Sequence, residues 1–108
     1  MFDFLKLSLN DAEIESVTAK REQLIVNYKN WKEESCTLVF SEVAGYQWFS
    51  PEGKSLSHGT IETDDPLLAH ACEAAEEDSL IGFKIYSFVS AWSNSKILRI
   101  VAKDVSQA

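Results

Sequence analysis

Apolar and polar residues alternate over two short runs in the N-terminal half of the chain. Leu24, Val26 and Tyr28 alternate with Ile25, Asn27 and Lys29, and Cys36, Leu38 and Phe40 alternate with Thr37, Val39 and Ser41. Side chains of an extended chain point to opposite faces in turn, so a period of two predicts two half-buried strands. The polar gap at 30–35, interrupted only by Trp31, is short enough to make them a hairpin. Upstream, Ile14 and Val17 open a first strand that ends near Lys20, Arg21 and Glu22, while Phe2, Phe4 and Leu5 are free to dock on the core. Downstream, Gly45 punctuates the pattern, and Tyr46-Gln-Trp-Phe49 leads into Ser50-Pro-Glu-Gly53, a turn signal in which proline presets one corner and glycine accepts a positive φ. Residues 54–63 form a possible returning strand, weakened by Gly59 and several serines.

One helix is predicted. Asp65 can cap free backbone N–H groups, Pro66 suits the first helical position, and Leu67, Leu68, Ala71, Ala74 and Ala75 share a broad apolar face. It should end near Glu77 or Asp78. Two more strands follow, over 80–89 and 96–102; in the first, Ile81, Phe83, Ile85 and Val89 point one way while Lys84, Tyr86 and Phe88 point the other. The run at 97–102 is apolar on both faces except at Arg99, as a strand in the middle of a sheet would be. From Lys103 the tail turns polar. The order predicts an α+β fold in a single domain over 1–108: an antiparallel, meander-like sheet of about six strands with one helix packed on one face. Leu38, Phe40, Phe83, Ile85 and Ile100 are expected to be buried together under that helix.

Composition adds little to this picture, and charge adds more. The 45% apolar and 25% charged content is that of an ordinary globular protein. No apolar run approaches the roughly 20 residues needed to span a bilayer, and the N-terminus lacks a secretory pattern, so a cytoplasmic location is expected. The formal net charge is −7, which argues against binding nucleic acid phosphates. All of it lies in one segment. Residues 62–78 hold seven acids (Glu62, Asp64, Asp65, Glu73, Glu76, Glu77, Asp78) and no lysine or arginine, leaving 17 − 7 = 10 acids against 10 bases elsewhere. Glu73, Glu76, Glu77 and Asp78 sit at the negative end of the helix dipole, where acids are unfavourable by a few tenths of a kcal/mol or more.

No pattern of catalysis or metal binding stands out. His70 and Cys72 are two apart on a helix and face different directions, and no paired cysteine or histidine spacing accompanies Cys36 or His58. Ser57-His58 is adjacent in sequence, but a catalytic triad is assembled in space. There is no phosphate loop, nucleophile elbow or dinucleotide fingerprint. The chain therefore reads as a non-enzyme without cofactor. Its tryptophans are a better lead: Trp31, Trp48 and Trp92 all fall in or beside turns. They either cap the ends of a small core or anchor a recognition surface.

The segments Asp11-Ala-Glu-Ile14, Leu24-Ile-Val-Asn-Tyr-Lys-Asn-Trp31 and Thr37-Leu-Val-Phe-Ser-Glu-Val43 together resemble small bacterial β-domains, some of them immunity proteins of polymorphic toxin systems. The resemblance, carried by strand hydrophobicity and an Asn-Trp turn, implies a cytoplasmic inhibitor that blocks a toxin by binding it, often through acidic surface against a basic nuclease. It assigns no functional residue. The expectation is a protein-binding module that meets a basic protein partner through Trp31, Trp48, Glu73, Glu76, Glu77 and Asp78. The alternative is a small-ligand or regulatory domain with a pocket between helix and sheet. A sheet with two edges could also pair with its own copy.

Overall fold

Sequential hairpins dominate the architecture seen in a computed structural model, which describes residues 2–50 and 53–108. A short 3₁₀ turn, Phe4–Lys6, precedes strands β1 (Glu13–Lys20), β2 (Gln23–Lys29), β3 (Ser35–Trp48) and β4 (Leu56–Glu62). Helix α1 (Pro66–Ala74) follows, then β5 (Lys84–Ser90) and β6 (Lys96–Gln107). The described strands form one antiparallel sheet in the order β1-β2-β3-β6-β5-β4, two three-stranded meanders joined along β3 and β6. The alternating runs of the sequence pair as expected, Leu24 opposite Phe40, Val26 opposite Leu38 and Tyr28 opposite Cys36.

The sheet coils until its outer strands meet at their starts. Glu13 bridges Ser55, the Leu56 N–H donates to the Ala12 carbonyl at 2.8 Å, and the Asp11 N–H donates to the Leu56 carbonyl at 3.0 Å. The result is an incompletely closed barrel with a concave inner face. That face is the main core: Ile14, Leu24, Val26, Leu38, Phe40, Leu56, Phe88, Leu98 and Ile100 are buried there together with Phe4 and Leu9 from the segment before β1. The Phe4 ring plugs the interior, meeting Phe40, Tyr86 and Phe88 edge to face. Gly59 makes room for it, since a Cβ there would lie 2.6 Å from the ring.

On the outer face α1 covers a second, smaller cluster of Leu68, Ala71, Cys72, Phe83, Ile85 and Val101. Asp65 caps the helix as the sequence predicts, its carboxylate accepting from the Leu67 N–H at 2.9 Å, with Pro66 in the first turn. Asp65 also lies 2.9 Å from Arg99 Nη2, off the N–H axis, so the contact is an ion pair and not a linear hydrogen bond. The bond from Leu67 and then the guanidinium of Arg99 hold the Asp65 carboxyl below the usual aspartate range. Glu62 pairs with Lys96 beside them.

Several expectations need correction. Phe83 and Ile85 do lie under the helix, but Leu38, Phe40 and Ile100 are on the opposite, inner face. The sheet buries both faces, so burial of an apolar residue does not say which layer covers it. Ile81 is not in line with Phe83 at all: it is 85% exposed in the loop before β5, which begins only at Lys84. Gly45 does not end a strand; β3 runs through it with a bulge between Val43 and Gly45, and Gly45 instead admits Ala71 of the helix. The polar tail from Lys103 is strand, because β6 continues to Gln107 opposite Leu38. The corner expected at 50–53 falls on Pro51 and Glu52, outside the described residues.

Candidate interaction surface

The end of α1 is closed by a backbone device that normally takes glycine. The Glu77 N–H donates to the Cys72 carbonyl at 2.8 Å and the Glu76 N–H to the Glu73 carbonyl at 3.0 Å, the paired bonds of a Schellman turn. This requires Glu76 to adopt φ +60°, a left-handed conformation costing an ordinary residue about 1–2 kcal/mol. Glu76 thus combines a strained backbone with an acidic side chain at the negative end of the helix. Glu73, Glu76, Glu77 and Asp78 are all exposed.

Tertiary structure enlarges this acidic surface beyond what the sequence segment contains. A cleft of about 280 Å³ beside the helix end is lined by Glu22, Glu42, Val43, Ala75 and Glu77. Glu22 comes from the β1–β2 turn and Glu42 from β3, where it too has a positive φ, +53°. The Val43 N–H donates to the Glu22 carbonyl at 2.8 Å and holds the β1–β2 tip against β3. Glutamates from three separate parts of the chain therefore line one opening. Sequence reasoning missed Glu22 because it adjoins Lys20 and Arg21, and Glu42 because it is a single acid with no other charged residue between Glu34 and Glu52; only the chain reversal brings them beside Glu77.

The tryptophans stand on three different elements. Trp31 is 59% exposed in the β2–β3 turn, whose shape is set by Asn30: its side-chain oxygen accepts from the Lys32 N–H at 2.9 Å and the Glu34 N–H at 3.0 Å. The Lys32 ammonium stands 5.1 Å from the Trp31 ring centre. Trp48, 40% exposed, is at the other end of the 14-residue β3, next to exposed Tyr46 and Phe49. Trp92 is 89% exposed in the β5–β6 turn and caps no core.

The remaining candidates lie apart. Cys36 is on the inner side of β3, where burial and then the nearby Cys36 push the Tyr28 phenol up to about 12; Cys72 is buried under α1, its thiol pushed up by burial and then by Glu77. Both cysteines are free. Among the described residues no group of three or more His, Cys, Asp or Glu side chains is placed to hold a metal ion. Ser57 Oγ lies 3.0 Å from His58 Nδ1, but the serine is half-buried, the histidine exposed, and the described hydrogen bonds give the imidazole no orienting carboxylate. Where Gly45 meets Ala71, helix and sheet are in contact, and the cleft at Glu22, Glu42 and Glu77 opens only past the end of the helix. Among the described residues no helix is long and apolar enough to cross a membrane. No family model matches the chain, and neither a curated protein nor a solved structure matches it.

Proposed function

We propose that this protein is a non-catalytic binding module, an acidic inhibitor of the immunity-like kind that acts in the cytoplasm by engaging a basic protein partner. One observation carries the reading: Glu22, Glu42 and Glu77, from three elements, converge on one cleft, with Glu73, Glu76 and Asp78 exposed beside it. The strain at Glu76 supports it. A glycine there would relieve the backbone and a basic residue would suit the dipole, so the local choice runs against stability in both respects. An opposite charge on the partner would offset part of this on binding and would steer encounter over the screening distance of about 8–10 Å.

The test is association with the protein partner captured from the native source, measured across salt concentrations. Glu76→Lys combined with Glu77→Lys should slow association by about tenfold at low salt and flatten its salt dependence. The free double variant should be equally or slightly more stable than the parent. Matching rates and matching salt slopes would refute the reading.

A further inference from the structure

Strand β3 has a neighbour on both sides only over its first half. β2 begins at Gln23, opposite Ser41, and the last bond on that side runs from the Val43 N–H to the Glu22 carbonyl, so beyond Val43 β3 is paired with β6 alone. The Phe49 N–H donates to the Ile97 carbonyl at 3.0 Å, toward β6. In an antiparallel ladder alternate residues direct both backbone polar groups to the same side. Gln47 therefore also faces β6, while Tyr46 and Trp48 turn their N–H and C=O groups to the open edge.

Folded proteins blunt such edges with charge, bulges or cover. The other two edges of this sheet follow that rule. β1 carries Glu13, Glu15 and Lys20 with an irregularity between Ile14 and Ser16, and β4 has one between Leu56 and His58. On β3 the bulge lies before this edge, between Val43 and Gly45, and the Lys54 ammonium reaches only its far end, at the Phe49 carbonyl 3.1 Å away; Tyr46-Gln-Trp-Phe49 itself carries no charged side chain, and three of its four side chains are exposed aromatics. Its lower end opens directly on the acidic cleft at Glu42 and Val43.

We propose that the β3 edge at Tyr46 and Trp48 is a strand-addition site for an extended segment of the basic partner. The segment runs antiparallel to β3, as every neighbouring pair in this sheet does, and extends the line of β2. Its C-terminal end then points at Glu22, Glu42 and Glu77, so basic residues belong at that end, and apolar residues before it lie against Tyr46 and Trp48. Backbone hydrogen bonds supply affinity and the alternate side chains supply specificity. A second copy of this chain does not fit: residues 42–49 contain no lysine or arginine to match the cleft, and each copy carries a net charge of −7. The proposal rests on the acidic-surface reading for the direction of the segment, not for the edge itself.

The test uses a synthetic peptide alternating valine with threonine and ending in arginines at its C-terminus, with amide hydrogen exchange followed by NMR. Saturating peptide should slow exchange of the Tyr46 and Trp48 amides by about tenfold or more. N-methylation along the peptide edge that faces β3 should abolish binding, and N-methylation along the other edge should leave it intact. Moving the arginines to the N-terminus should weaken binding about tenfold, as should Trp48→Ala. No peptide binding, binding without slowed exchange at the two amides, or equal effects of both methylation patterns would each overturn the proposal. So would amides already protected without peptide and released on dilution, which would assign the edge to a second copy. If the edge fails while the lysine variant still loses salt-dependent association, only strand addition is lost. If the edge succeeds while association is insensitive to salt and to lysine, the acidic-surface reading is the one that falls.

Discussion

The concave face of the sheet buries Phe4 and Phe40 in edge-to-face contact with each other and with Tyr86 and Phe88, ring centres 5.2 to 6.3 Å apart. Among the described residues the outer face buries only Phe83 as an aromatic, beneath a helix of nine residues anchored at its start by Asp65 and Arg99. Aromatic pairs of the first kind contribute about 0.5–1.5 kcal/mol each beyond their buried area. An isolated helix of the second kind is too short to be stable in water and depends on the surface beneath it. The difference assigns separate tasks to the two layers. The inner face holds the fold together, and the outer layer is left free to carry a strained, acidic helix end.

The strongest way to break this comparison is at the inner face. Phe40→Ala removes a fully buried ring at the junction of both meanders and should cost about 3–5 kcal/mol in denaturant melts. A loss no larger than that of an outer-face truncation such as Leu68→Ala, about 2 kcal/mol, would erase the distinction. The two close-approach glycines sharpen it. Gly59→Ala drives a Cβ into the Phe4 plug and should cost about 1–3 kcal/mol, while Gly45→Ala meets Ala71 at 3.3 Å and should stay within about 1 kcal/mol, the gain in strand rigidity offsetting the crowding.

The smallest expected effect concerns pH. Asp65 has its carboxyl lowered in the folded state, so its contribution is present above the ordinary aspartate range and is lost as pH falls through the lowered value. The charged groups around it are Arg99, Glu62 and Lys96. In acid, amide exchange in α1 should rise before exchange in β3 and β6 does. Asp65→Asn keeps a capping oxygen but removes the titrating charge, and should suppress that early rise. Simultaneous loss of helix and sheet protection would show that the two layers are one cooperative unit.

Much of the candidate surface was only half legible in the sequence. The acids at 73–78 stand out because no base interrupts them, and their exposure follows from where the apolar face of α1 ends. Glu22 and Glu42 do not stand out, since Glu22 adjoins Lys20 and Arg21, Glu42 is a lone acid in an apolar strand, and they reach one cleft only through the tertiary fold. The open edge was not legible at all. Tyr46-Gln-Trp-Phe49 reads as a strand leaving the sheet, and its unpaired side exists only because β2 is half the length of β3.

By itself, the sequence determined the local elements: period-two alternation made the strands, Asp65 and Pro66 started the helix, and the hairpin lengths set antiparallel neighbours. These are short-range consequences of side-chain direction and backbone capping, complete within a few residues. Tertiary structure alone decided which apolar face each layer covers, because in a sheet buried on both sides Ile100 and Val101 are equally apolar yet face opposite cores. It also decided the coiling that lets Glu13 meet Ser55, and the meeting of Glu42, in its left-handed conformation, with the helix end. Those outcomes depend on contacts between residues far apart in the chain, for which no local pattern encodes the partner.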